Sequence, residues 1–239
     1  MFPLGVLKKK IDLATLINLR FEGSEGSQIF TDSSSYNRAV SVVSGTPIIS
    51  TTNPLSGVSS LFLGTNGTIM IPNFTTPAGN ANFRTIEFRI QIDLADIAFN
   101  ESQGVFVKGI SNFFYQDYSH QCILTRNSSG TGGVLRLYYN ISTIVVGSSL
   151  LIINIPNISA NNHVAFTRRA NGTFIAYLNG VEVYNLYATD YTPNTQVLFI
   201  GAVVHNWATG LDTVKFKGRL DNFKISNVDR YPEDFTPPV

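Results

Sequence analysis

Two short segments of the chain combine aromatic rings with amide, hydroxyl and imidazole groups, a mixture that can bind a sugar. Flat rings cover the apolar face of a pyranose, while polar side chains hydrogen-bond to its edges. The residues that we predict to contact a ligand are Tyr115, Tyr118 and His120 in the first segment and His205, Asn206 and Trp207 in the second. A structural role is the alternative: the tyrosines would cap the core at a sheet edge, and the tryptophan would pack beneath its own loop or in a subunit interface.

Catalytic chemistry finds little support in the sequence. The nearest acidic pair on one predicted strand face is Glu87 and Asp93, which an extended strand would hold about 20 Å apart, too far for the carboxylates of a retaining glycosidase. We therefore interpret both residues as part of an exposed polar row. The chain has no Gly-x-Ser-x-Gly turn and no metal-ligand spacing of His and Cys, and Cys122 lies in an apolar run typical of the core. We expect a protein that is not an enzyme.

The composition limits the class of partner. The 239 residues include 17 basic and 16 acidic side chains, a net charge of +1, which argues against nucleic acid or an anionic membrane as the main partner. No apolar run approaches the roughly 20 residues of a membrane span. The first ten residues place apolar side chains before basic ones, the reverse of a secretory signal. Only 14% of residues are charged whereas Ser, Thr and Asn are abundant. Neutral hydroxyl and amide side chains must therefore make up most of the polar surface.

Hydrophobic residues recur with a period of two along the chain. In residues 85–93 (TIEFRIQID) apolar and polar side chains alternate strictly, which is typical of a half-buried antiparallel strand. Two Asn-Gly turns predict a three-stranded meander over residues 164–168, 173–178 and 181–184. Only residues 11–19 are compatible with a helix. We predict an all-β, two-sheet antiparallel β-sandwich as one domain over residues 17–239, preceded by an N-terminal arm over residues 1–16.

Four stretches of the sequence resemble the concanavalin A-like, laminin G-like jelly-roll family. They are residues 19–34, residues 59–63 with 83–88, residues 163–168 with 179–180, and residues 199–201 with 216–231. The most specific is GRLDNFKIS at 218–226, followed by Arg230 and Tyr231. The chain departs from the family at Arg89, where an aromatic residue is common, and at Asn161 and Asn162, which replace Trp-His. The resemblance implies a jelly roll that binds ligands, often glycans, without implying one activity.

The resemblance also implies a structural calcium ion where the opening and closing strands meet. Asp32 and Asp221 are the carboxylates that match this site. In the alternative interpretation Asp32 forms an Asx turn and Asp221 is a buried hydrogen-bond acceptor. Calcium needs six to eight oxygen ligands, many of them main-chain carbonyls that a sequence does not reveal.

We expect a non-enzymatic binding or structural module. Single modules of this family are abundant in phage virions and on bacterial surfaces, so the resemblance favours a capsid decoration, fibre or adhesion component at the virion surface. A secreted or cell-surface bacterial protein is the alternative location. The expected partners are further copies of the chain, other virion proteins and a glycan. The alternative functions are a glycan-degrading enzyme, the carbohydrate-binding accessory domain of one, or an intracellular sugar-binding protein.

Overall fold

The computed structural model describes residues 14–64, 66–72, 84–108, 120–139, 151–187, 197–206 and 211–238, and this part of the chain contains seventeen strands and no helix. In chain order the strands are β1 (Thr15–Leu19), β2 (Ser41–Ser44), β3 (Ile48–Ser50), β4 (Ser60–Phe62), β5 (Thr68–Ile71), β6 (Thr85–Gln91), β7 (Ser102–Lys108), β8 (His120–Arg126), β9 (Gly133–Tyr139), β10 (Leu151–Ile155), β11 (Asn162–Arg168), β12 (Thr173–Leu178), β13 (Val181–Tyr187), β14 (Leu198–Ile200), β15 (Ala202–Asn206), β16 (Leu211–Lys215) and β17 (Arg219–Ser226). Within those ranges no helix is long and apolar enough to cross a membrane.

The strands form two large antiparallel sheets packed face to face, which confirms the predicted β-sandwich. Sheet I has the order β13-β12-β11-β6-β17-β4-β3, and β1 also pairs with β17. Sheet II has the order β10-β9-β8-β7-β14-β5-β2. A separate ribbon of β15 and β16 packs on β7, where Val203 contacts Val107 and Ile123 on the outer face of sheet II.

Phenylalanine rings from both sheets join in the core. Phe88 and Phe223 of sheet I stack with ring centres 5.9 Å apart. Phe106 of sheet II meets them edge-on, at 5.9 and 5.5 Å, an arrangement that the quadrupoles of aromatic rings favour. Because side chains alternate along a strand, this inward position of Phe88 directs Glu87 and Arg89 to the outer face of sheet I.

The predicted meander is confirmed, and so is most of the strand predicted over residues 85–93. β11, β12 and β13 pair in sequence, and the turn between the last two has Asn179 and Gly180 at φ 51° and 85°, the left-handed values that a two-residue hairpin turn requires. β6 ends at Gln91, so Asp93 belongs to the loop that follows.

The helix expected over residues 11–19 is wrong in its described part. Thr15–Leu19 forms β1, which pairs antiparallel with β17, and Leu16 and Ile17 are fully buried. Pairing with β17 and burial of one face stabilise this strand more than the weakly periodic apolar pattern could stabilise a helix. Thr15 and Leu16 therefore belong to sheet I and not to the predicted arm, whose residues 1–13 lie outside the described part. The single domain stays a prediction.

The C-terminal segment, residues 229–238, crosses the outer face of sheet I. The rings of Tyr231 and Phe235 stack with centres 3.5 Å apart and pack on Tyr177 of β12. The Phe235 amide donates to the Gly180 carbonyl at 2.9 Å. A β-carbon on Gly180 would lie 1.8 Å from the Phe235 carbonyl oxygen, so this close approach of two backbones requires glycine.

Candidate functional site

An open cleft of about 400 Å³ lies on the outer face of sheet I. Its floor is a cross-strand row in which Arg219 of β17 stands between Phe62 of β4 and Gln91 of β6. Directly opposed residues of paired strands lie on the same face of a sheet. The pairing register therefore places a ring, a guanidinium group and an amide side by side.

Polar residues in loops form the rim of the cleft. It consists of Asn53, Asp93, Asp96 and Ser159. The loop after β6 turns back on itself because the Asp93 carboxylate accepts the Ala95 amide at 3.0 Å and the Asp96 amide donates to the Asp93 carbonyl at 3.1 Å. The Gln91 amide nitrogen donates to the Ser159 carbonyl at 2.7 Å, which leaves its carbonyl oxygen as an acceptor.

Arg219 supplies the hydrogen-bond donor of the cleft floor. Its guanidinium carbon lies 4.9 Å from the centre of the Phe62 ring. Burial lowers the pKa of Arg219, and the nearby charge of Glu25 acts in the opposite direction. Its Nη1 is buried with no hydrogen-bond partner among the described residues. A buried N–H without a partner carries a desolvation cost.

A second polar cluster is closed off by the C-terminal segment. Glu87 is 1% exposed and lies 3.4 Å from His163 Nε2 and 3.2 Å from Lys224 Nζ, and the Tyr231 hydroxyl donates to it. The interpretation of Glu87 as part of an exposed polar row is therefore wrong. Asp93 lies in the exposed rim of the cleft, so the two carboxylates do not form a catalytic pair.

Most of the predicted ligand-binding residues lie where the structure gives no side-chain positions. Tyr115, Tyr118 and Trp207 are outside the described residues. His205 and Asn206 are the last residues of β15, and their backbones pair with Asp212 and Leu211 of β16. Recognition by the end of this ribbon and by the loop before β8 stays a prediction.

His120 is almost fully buried. It is the first residue of β8, opposite Lys108 of β7, and it is only 2% exposed. Burial holds the pKa of His120 well below its usual range, and the charge of Lys108 acts in the same direction. The side chain alternates into the space between the sheets with Cys122, so His120 does not belong to an exposed loop, and its contact with a ligand stays a prediction.

Asp32 does not fit a calcium site. Its two carboxylate oxygens accept the amides of Asn18, Ser34 and Arg38, each at 3.0 Å, and the Ser34 hydroxyl at 2.8 Å. The bond from Ser34 is an Asx turn, as in the alternative interpretation. A cation would face four donors in place of the oxygen ligands that calcium requires.

The environment of Asp221 differs from that of Asp32. It is 1% exposed, its Oδ1 accepts the Asn222 amide at 2.8 Å, and its Oδ2 has no partner among the described residues. Burial raises the pKa of Asp221 to about 7. The described residues contain no group of three or more His, Cys, Asp or Glu side chains that could hold a metal ion. The hydrogen bonds of Asp32 thus do not fit the calcium site that the resemblance implies, and a calcium ion at Asp221 stays a prediction.

The sequence contains no local signal for the cleft. Its lining comes from five separate parts of the chain, at residues 53, 62, 91–96, 159 and 218–219. Only the register of β4, β17 and β6 brings these parts together. The strongest available hint is Arg89-x-Gln91 on the polar side of an alternating strand, which indicates a polar outer face without indicating that part of it stays open.

Comparison with known proteins finds similarity in structure only. No protein-family model matches the sequence, and no curated protein does. Domain 4 of AbnA, a GH43 extracellular arabinanase from Geobacillus stearothermophilus solved with arabinotriose, matches with a TM-score of 0.56 and 16% identity, over 89% of this chain and 91% of that domain. The binding domain of botulinum neurotoxin DC in complex with SialylT matches with a TM-score of 0.59 and 14% identity, over 93% of this chain and 48% of that one.

The binding domain of Paraclostridial Mosquitocidal Protein 1 is a third structure that is similar to this chain. Its TM-score is 0.56 at 16% identity, with 90% of this chain and 49% of that chain covered. The chain thus spans about half the length of the toxin binding domains and nearly all of the arabinanase domain. At such low identity these likenesses show the fold alone, and they are consistent with the jelly roll that the sequence resemblance implies.

Proposed function

We propose that the chain is a non-enzymatic carbohydrate-binding module and that the cleft over Phe62, Arg219 and Gln91 is its binding site. The observation that carries this proposal is the composition of the cleft: an aromatic ring, a guanidinium group, amides and carboxylates line one open space of about 400 Å³. This volume lies within the range of roughly 300–1,000 Å³ that is typical of small-ligand sites.

The chemistry of the lining matches that of a sugar. Each sugar hydroxyl donates one hydrogen bond and accepts others, so it needs donors and acceptors at close spacing. Arg219 offers a donor, while Asp93, Asp96 and the Gln91 carbonyl oxygen offer acceptors. The Phe62 ring supplies the apolar contact that a sugar ring makes through its C–H face.

The three structural neighbours named above support a binding role. The arabinanase domain was solved with a bound trisaccharide, and the toxin chains are named as binding domains. The competing function, a glycan-degrading enzyme, would need Glu87 at the surface. Glu87 instead forms hydrogen bonds and ion pairs beneath the C-terminal segment, which disfavours a role in which it meets substrate.

Replacing Gln91 or Phe62 with alanine is expected to weaken glycan binding by about five- to tenfold, equivalent to roughly 1 kcal/mol. Each change removes one polar or one apolar contact from the cleft floor without touching the core. A glycan array would first identify ligands of the wild type, and isothermal titration calorimetry with the best of them would give the affinities.

Phe99→Ala is the matched control, since Phe99 is an exposed ring outside the cleft that lies under Arg126. Its affinity is expected to equal that of the wild type. Trp207→Ala distinguishes the cleft from the end of the β15–β16 ribbon. Loss of binding in Trp207→Ala, with full binding in Gln91→Ala and Phe62→Ala, would show that the cleft is not the site.

We further propose display on the surface of a phage virion, as a capsid decoration, fibre or adhesion component that assembles with its own copies. The support is the sequence resemblance, the weakly charged surface rich in neutral hydroxyls and amides, and the edge of sheet I. β13 is the last strand of that sheet in the described part of the chain. Its Val181, Val183 and Tyr187 are 54%, 43% and 64% exposed, and an apolar edge strand is a template for pairing with another strand.

Val183→Lys is expected to weaken self-association by about tenfold, because a lysine on an edge strand opposes strand pairing. Light scattering coupled to size-exclusion chromatography over a range of concentrations measures the effect. Val58→Lys is the control, since Val58 is 68% exposed outside β13. A wild type that stays monomeric at high concentration would remove the support that β13 lends to assembly.

A further inference from the structure

Two loops from opposite sides of the cleft are joined to each other at one end of it. The loop between β3 and β4 contributes Asn53 to the lining, and the loop between β10 and β11 contributes Ser159. Two residues further along each loop, the side-chain amide of Asn161 donates to the Leu55 carbonyl. The carbonyl oxygen of the same side chain accepts from Arg89 Nη1 at 3.4 Å. This Leu55–Asn161 bridge connects loops that come from either side of β17 and β6 in sheet I.

The bridge lies over the row of residues next to the cleft floor. In β17 and β6 this row consists of Asp221 and Arg89, which are paired and lie two residues from the floor on the same outer face. Asp221 is 1% exposed. Burial raises the pKa of Asp221, and the backbone of Ser56 is among the groups that oppose this shift, so the residue after Leu55 lies against the carboxyl group. The cleft therefore ends at this row.

Two further sides of the cleft have walls that are fixed by hydrogen bonds. Toward β11 the wall is the loop of residues 157–161, which is tied to the end of β6 because the Ile92 amide donates to the Ile158 carbonyl at 2.9 Å. Opposite the bridge the wall is the loop after β6, where Lys217 Nζ donates to the Asp96 carbonyl at 3.0 Å. Three sides are thus closed by chain that has defined contacts.

The fourth side is the one over Phe62. This residue is paired with Ile48 of β3, and β3 is the last strand of sheet I in the described part of the chain. Among the described residues, the lining of the cleft includes none from β3. A linear molecule that lies along the cleft floor can therefore leave it in one direction, across the Phe62 ring and the edge of the sheet.

Resting on the carbohydrate-binding function proposed above, we infer that the cleft binds the end of a glycan chain and excludes internal stretches, and that the Leu55–Asn161 bridge stops the chain. A terminal sugar unit carries a free hydroxyl where an internal unit carries its next glycosidic bond. A hydroxyl needs acceptors and donors nearby, and the walls supply them, with Asp93 as one acceptor. A further sugar at that position would overlap the walls.

The test measures affinity against chain length by isothermal titration calorimetry. The probes are cello-, xylo-, chito- and malto-oligosaccharides of about two and about six sugar units, each with one non-reducing end. For every sugar that binds, the wild type is expected to bind both lengths with affinities within about twofold, because the units beyond Phe62 lie outside the cleft. This comparison needs no variant.

Two substitutions test the bridge itself. Asn161→Ala removes the side chain that forms it, and Asn161→Asp keeps the size of that side chain but cannot donate to the Leu55 carbonyl. Both are expected to bind the longer oligomer about fivefold more tightly than the shorter one, because the chain can then extend along the outer face toward Arg89. Asn154→Ala, at an exposed asparagine of β10, is the matched control and is expected to keep the wild-type ratio.

The outcomes separate this inference from the function on which it rests. A wild-type affinity that rises fivefold or more with length, or Asn161 variants that keep the wild-type ratio, would overturn end binding and leave the carbohydrate-binding function in place. Silence toward every glycan, or binding that Gln91→Ala and Phe62→Ala do not weaken, would overturn the proposed function of the cleft and end binding with it.

Discussion

Glu87→Ala is expected to lower the free energy of unfolding by roughly 3 kcal/mol near neutral pH. The carboxylate is buried and lies within ion-pair distance of His163 and Lys224, and it accepts the Tyr231 hydroxyl. Without it, these groups lose their shared partner beneath the C-terminal segment, and a buried polar group without a partner keeps its full desolvation cost. Denaturant unfolding, followed by fluorescence, gives the stability of both proteins.

The matched control is Glu101→Ala. Glu101 also pairs with a lysine, Lys217, at 2.8 Å, but both side chains are about a third exposed, so its loss is expected to cost less than about 1 kcal/mol. Glu87→Gln keeps the shape of the side chain and isolates the contribution of charge. Equal losses in Glu87→Ala and Glu101→Ala would contradict the role assigned to the buried cluster.

The same cluster predicts how stability responds to acid. Burial alone would raise the pKa of Glu87, but the hydrogen bond from His163, the charge of Lys224 and the hydrogen bond from Tyr231 outweigh it and lower the pKa to about 2. A carboxyl whose pKa is lower in the folded chain stabilises it at pH values above the unfolded pKa of 4.5. This contribution is lost as the pH falls from there toward 2, so wild type and Glu87→Gln are expected to converge in melting temperature over that window.

The fold was largely predictable because its main signals are local. Strict alternation indicated β6, and the Asn-Gly pairs indicated the turns of the meander, since few other residues tolerate the backbone angles that such turns need. The buried side of β11 was not predictable. Phe166 faces the core between the sheets, whereas Ala165 on the opposite face is buried by the C-terminal segment, so both faces are covered and alternation no longer distinguishes them.

The burial of Glu87 was not predictable, because the residues that shield it from solvent are distant in sequence. Tyr231 is 144 residues away from Glu87 in sequence. Within residues 85–93 a glutamate among polar neighbours has the pattern of a solvated face, and nothing local distinguishes it from Asp93, which is exposed. The cleft illustrates the same limit, since the pairing register of three strands places Phe62 beside Arg219 and Gln91.

Asp221→Asn is expected to raise the free energy of unfolding by roughly 2–4 kcal/mol near pH 8 and to change it little near pH 4. Burial raises the pKa of Asp221 to about 7, helped by the charge of Glu22 and opposed by the hydrogen bond from the Asn222 amide. Its Oδ2 is buried without a partner among the described residues. Asparagine retains an oxygen for the Asn222 amide and removes the charge that the folded chain must otherwise bury.

The direction of the pH dependence follows from the raised pKa. The folded chain binds the proton of Asp221 more tightly than the unfolded chain, whose pKa is 3.8, so the wild type loses stability as the pH rises from about 4 to about 7 and no more beyond that. Asp221→Asn removes this decline, whereas Asp93→Asn, at an exposed acidic site, is expected to leave it in place. Unfolding at a series of pH values measures both. If Asp221→Asn were instead less stable than the wild type near pH 8, and EDTA abolished the difference, a bound cation would be stabilising the ionised carboxylate, which would contradict this prediction.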